Sequence, residues 1–141
     1  DFSKILINLD NGKINFNDSY LVSEKIGSLK LYKSKIDLVD EKLIFKGSFN
    51  FNIINQNKFY TAFQIPKKNR KLLKNIFFDL SIDTSNDKLN INNFGINSKK
   101  SILNDATKSI INQYNNNKNN KIQNWINLKN FTREIFNSYL G

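Results

Sequence analysis

Apolar and polar residues alternate from Leu43 to Ile53, with Ile44 the apolar exception on the polar side. Leu43, Phe45, Gly47, Phe49, Phe51 and Ile53 hold the odd positions, and Ile44, Lys46, Ser48, Asn50 and Asn52 lie between them. A strand points successive side chains to opposite faces, so this spacing predicts a long strand with one oily and one largely wet face. The same period-two signal covers Ile5, Ile7 and Leu9, then Ile14 and Phe16, with Asp10-Asn11-Gly12 as the turn between them. Residues 20–26 fit no period and read as a crossing loop. Leu29 and Leu31 are followed by Ile36 and Leu38, a change of parity that predicts a bulge near Lys33 to Lys35. Asp40-Glu41 then turns the chain into the long strand, and two more strands follow at Ile76 to Ile82 and Leu89 to Ile96.

Three of these hairpins repeat one pattern, an alternating strand, a polar turn, then Lys and renewed alternation at Lys13, Lys42 and Lys88. Such a pattern describes a meander of antiparallel strands with one apolar face. Between the second and third copies the spacing becomes helical, with Phe59 and Phe63 one turn apart. Pro66 is placed to begin a second short helix reaching Lys74, anchored by Leu72 and Leu73. Beyond the sheet, Ile102, Ala106, Ile110 and Tyr114 form a helical stripe with Leu103 and Ile111 beside it. After a polar linker from Asn115 to Asn120, Leu128, Phe131, Ile135, Phe136 and Tyr139 form another, with Asn127 as its N-cap.

The predicted fold class is α+β: a curved, groove-like antiparallel β-meander with short inserted helices and two C-terminal amphipathic helices. All 141 residues are read as a single domain, with the sheet over 1–98, a helical insertion at 57–74 and the closing helices at 99–141. The chain opens in mid-pattern without Met, which leads us to expect a piece of a longer protein.

Composition narrows the chemistry. With no His and no Cys, the commonest general base, Ser-His and Cys-His nucleophile pairs and ordinary zinc sites are all missing. Asp10, Asp40, Glu41 and Asp87 sit in turns, and the five glycines are dispersed, so no phosphate-cradling loop is visible. The reading is of a protein that is not an enzyme, with no catalytic residues, metal or cofactor. The net charge of +10 invites a nucleic-acid partner, but Arg70 and Arg133 are the sole arginines. An AT-rich coding bias toward Lys, Asn, Ile and Phe accounts for much of the excess.

Two candidate sites remain. Lys67, Lys68, Arg70, Lys71 and Lys74 form a basic stretch without an acidic neighbour, read either as a contact for anionic headgroups or as a solvated face. Phe45, Phe49, Phe51, Phe78 and Leu80 fall on the inward side of the predicted strands, read either as plain core under the terminal helices or as an open groove for acyl chains. Trp125 with Ile126 is read as core or as an interfacial anchor.

The run from Phe59 to Lys71, followed by strand and then Asp87-Lys88-Leu89, resembles the C-terminal region of the AsmA family of Gram-negative envelope proteins. The hairpins, such as Asp10-Asn11-Gly12-Lys13-Ile14, are similar to that family's sheet; Asp40-Glu41 departs from it in lacking the usual turn Gly. The resemblance implies a non-enzymatic periplasmic body, tethered to the inner membrane by an N-terminal helix outside this sequence. It implies a role in carrying phospholipid between inner and outer membrane and in envelope biogenesis. The partners expected from it are phospholipid or a membrane surface, together with outer-membrane or envelope proteins. The alternatives are a nucleic-acid-binding module or a purely structural cap, either using the basic stretch 66–74.

Overall fold

Among the described residues, eight antiparallel strands and three α-helices build the fold, and the sheet is not closed. The computed structural model describes residues 1–85, 88–97, 105–116 and 125–140. Ile102, Leu103, Asp87, the linker residues 117–120, and the side chains of Trp125 and Tyr139 lie outside the described residues.

The first ribbon is split into β1 (Phe2–Lys4) and β2 (Asn8–Asp10), and the second into β3 (Lys13–Asn15) and β4 (Tyr20–Ser23). β1 pairs β4 and β2 pairs β3, while β3 and β4 both lie along β5 (Gly27–Val39). β6 (Lys42–Ile53), β7 (Asn75–Asp83) and β8 (Lys88–Ile96) continue the order, so neighbours in sequence are neighbours in the sheet. This is the expected meander.

Its tight turns use left-handed backbone. Asn11 (φ 48°) and Gly12 (φ 74°) make the β2–β3 turn, and Asp40 (φ 48°) and Glu41 (φ 63°) make the β5–β6 turn without any glycine. The parity change in β5 is a real bulge, with the register shifting between Tyr32 and Lys35 around Lys33 at φ 50°. Residues 20–26 are not a crossing loop, for Tyr20 to Ser23 form β4. Both of its faces are apolar, which hides the strand period: Leu21 opposes Leu29, while Tyr20 turns the other way to meet the Phe2 ring edge-on.

The breaks in the first two ribbons lie opposite this bulge and are closed by side chains. Ser19 Oγ accepts from Leu6 N and donates to Leu6 O, and Ser34 Oγ accepts from Phe16 N at 2.7 Å. Asn17 Oδ1 accepts from Ser34 N. These bonds satisfy backbone groups that the ladder leaves free, and Ser19 and Ser34 are buried.

The insertion holds α1 (Gln56–Ala62), capped by the Asn55 side chain on Lys58 N. The expected second helix, Pro66 to Lys74, is corrected: only one 3₁₀ turn forms, at Lys67–Asn69. The backbone donors that an α-helix would use find partners elsewhere. Leu73 N donates to Gln56 Oε1, and Lys74 N donates to Asn97 Oδ1 at 2.7 Å. Leu73 is buried at 3%, but its expected fellow anchor Leu72 is 64% exposed.

The two C-terminal helices are α2 (Asp105–Asn116) and α3 (Trp125–Leu140). α3 starts ahead of the expected cap, leaving Asn127 inside it. In α2 the buried positions are Thr107 and Ile111, with Ile110 and Tyr114 half-buried, and Ala106 faces solvent. The buried hydroxyl of Thr107 is matched with Ser138 Oγ at 2.9 Å, a polar contact that apolar spacing alone does not reveal. α2 also covers the edge strand β8, where Asn115 accepts from Ile91 N and donates to Ile91 O. The core gathers where α1 and α3 meet the sheet, around Phe59, Tyr60, Ile65, Ile76, Ile135 and Phe136.

Candidate functional site

Strand register lines up the oily residues in rows across the sheet. Leu29, Phe51, Ile76 and Ile96 form one row, Leu31, Phe49, Phe78 and Phe94 the next, and Ile14, Ile36, Phe45, Ile82 and Leu89 another. Leu80 faces Gly47 on one side and Ile91 on the other. The five residues singled out in the sequence, Phe45, Phe49, Phe51, Phe78 and Leu80, therefore share one face.

The helices cover part of that face. Beneath α3, Phe51, Phe78, Leu80, Ile91, Leu128 and Phe131 help enclose a chamber of about 210 Å³. Among the described residues Thr132 is the one polar residue on its wall, and its hydroxyl donates within the helix to Leu128 O. Beyond the helices, Phe16, Leu21, Leu31, Ile36, Phe45 and Phe49 line a second, open cavity of about 460 Å³, with Lys4, Ser19 and Tyr20 also contributing to its wall. The five residues thus divide, Phe45 and Phe49 to the open cavity, Phe78 and Leu80 to the covered chamber, and Phe51 both to that chamber and to a further open cavity beside Leu21 and Leu29. Farther along the same face, Leu38 and Leu43 oppose each other at the β5–β6 tip, and Leu38 is 71% exposed.

The opposite face is polar. Asp37 lies 2.7 Å from Lys35 Nζ and 3.9 Å from Lys46 Nζ, and the hydrogen bond from Lys35 holds its carboxyl below the usual carboxylate range. Phe77 lies on this side, which it shares with Tyr32, Tyr20 and Phe2. Its ring lies across Gly95, where even a Cβ would come within 2.1 Å of it.

The basic residues occupy the irregular loop that leads into β7. Arg70 is held in place, its Nε donating to Ile65 O at 2.9 Å and its guanidinium lying 5.6 Å from the centre of the Tyr60 ring. Lys67, Lys68, Lys71 and Lys74 are exposed, and among the described residues none of them makes a salt bridge. The loop backbone is firmly tied, since Tyr60 Oη donates to Lys71 O, Asn97 Nδ2 donates to Leu72 O and Asn69 bonds to Asn137. Burial pushes the Tyr60 hydroxyl above its ordinary pKa.

Sequence reading missed Leu21 and Phe16 as cavity wall, and missed the Ser19 and Ser34 seam beside it. For Leu21 the signal was its pairing with Leu29, which needs the register. Among the described residues no group of His, Cys, Asp or Glu is placed to hold a metal ion, and no helix is long and apolar enough to cross a membrane.

Fold and site together define an α+β domain whose one-sided antiparallel sheet carries an apolar face, half roofed by helices and half open. No protein family, curated protein or solved structure matches the chain in comparison.

Proposed function

We propose that the open half of the apolar face binds acyl chains of phospholipid, making this a non-enzymatic lipid-handling domain of a bacterial envelope. The observation that carries the reading is the open cavity of about 460 Å³ among Phe16, Leu31, Ile36, Phe45 and Phe49. Its volume falls within the roughly 300–1,000 Å³ of typical ligand pockets, and apart from Lys4, Ser19 and Tyr20 its wall is apolar. Contiguous exposed apolar surface of this kind mark interaction sites more often than idle surface.

Charge supports a lipid with an anionic headgroup. The protein carries a net +10, and Lys4 stands on the cavity wall. The four free lysines of loop 66–74 and the exposed Leu72 between Lys71 and Lys74 suit contact with a membrane surface, where each basic residue contributes about 1 kcal/mol. The resemblance of Phe59 to Lys71 and of the hairpins to the AsmA family agrees with carriage of phospholipid between inner and outer membrane, from a periplasmic position. The basic loop is too poor in arginine and aromatic platforms to favour a single-stranded nucleic acid.

The test is native mass spectrometry after incubation with phosphatidylglycerol vesicles. One retained phospholipid per chain is expected, and Leu21→Glu, at a half-exposed wall position, is expected to abolish it. A wild-type chain that emerges free of lipid contradicts the reading.

A further inference from the structure

We propose that the stacked rings of Phe49 and Phe78 form a partition that sets how long an apolar chain the domain accepts. This rests on the acyl-chain reading above and adds a specificity-determining pair to it. The two residues are direct cross-strand partners, with ring centroids 5.0 Å apart and planes within 10° of parallel. Phe49 lines the open cavity and not the covered chamber; Phe78 lines the chamber and not the open cavity. Leu29 borders both spaces. The ring pair is therefore the wall between two adjoining spaces on one face.

The space behind the wall is partly open, holds about 210 Å³ and is lined almost wholly by apolar side chains. Among the described wall residues, the one hydroxyl, that of Thr132, already donates its proton to Leu128 O, which leaves little there to hold a water. The space suits the end of an apolar chain. The half-buried Phe49 ring, bordering the open cavity, is the side from which such a chain meets the wall.

The experiment measures affinity for a homologous series of straight-chain fatty acids, from octanoate to stearate, by displacement of a fluorescent fatty acid. Each methylene that enters apolar surroundings raises affinity about fourfold. Wild type is expected to gain with length until the open cavity is full, then level off. Phe49→Ala joins the two spaces and is expected to move that plateau to longer chains. Phe45→Ala, on the open wall away from the partition, is expected to weaken binding without moving the plateau. Should Phe49→Ala fail to fold, Phe49→Val, which removes the ring stack and most of the wall's reach while keeping a strand-favouring side chain, is read the same way. A plateau at the same length in a folded partition variant overturns the partition while leaving the acyl-chain reading intact. Failure of wild type to bind any member of the series overturns the acyl-chain reading itself.

Discussion

Asp40 and Glu41 place two side-chain-bearing residues in left-handed backbone at consecutive positions. That conformation costs a residue other than glycine roughly 1–2 kcal/mol, and the two-residue hairpin turn favours Asn-Gly or Asp-Gly for this reason. Glu41→Gly, which creates Asp-Gly, should raise stability by about 1 kcal/mol, read as a higher urea midpoint with unchanged slope. Tyr60 gives a pH prediction. Its folded pKa is raised by burial, so its contribution is fully present below the unfolded value near 10 and is lost as pH rises through the folded value. Stability should fall above about pH 10, and Tyr60→Phe should make that alkaline fall shallower in pH-dependent urea melts. Tyr114, raised by burial and by Glu134, keeps part of the fall in that variant. At this scale the sequence was readable where a residue's local chemistry decides, as at Asn11-Gly12 and the Lys33 bulge. It was not readable at Ser19, Ser34 and Thr107, which are buried because distant partners satisfy them.

Strands were more legible than helices because alternation leaves a strong trace wherever one face is oily and the other wet. β6 and β7 carry that trace, whereas β4, apolar on both sides, does not. Loop 66–74 misled for the opposite reason: Leu72 and Leu73 have the look of a helical anchor, but tertiary partners claim the backbone. Asn97 carries much of this, accepting from Lys74 N at 2.7 Å and donating to Leu72 O at 2.7 Å from a left-handed position that asparagine tolerates. Asn97→Ala should cost about 2 kcal/mol and speed amide exchange at Lys74 selectively. α3 is anchored by Phe136, which is fully buried against Phe59 and Tyr60. Phe136→Ala should cost about 3–5 kcal/mol in chemical denaturation, with Ile126→Ala on the exposed side near neutral.

For the molecule as a whole, hairpin order was open to reading because each ribbon pairs with the next, β3 and β4 together forming the one beside β5, but the reach of the helical cover was not. Phe51 under the helices and Phe45 outside them have the same period and the same side chain in the sequence. Only the docking of α1 and α3 separates them. That partial cover leaves an apolar cavity open on a strongly basic protein, and the acyl-chain proposal stands on it. The most direct test is nuclear magnetic resonance of the protein with phosphatidylglycerol, observing contacts between acyl methylenes and phenylalanine ring protons. Contacts to Phe16, Phe45 and Phe49, with none to Phe77 on the polar face, are the predicted result. Contacts centred on Phe77, or no acyl contacts at all, would contradict it.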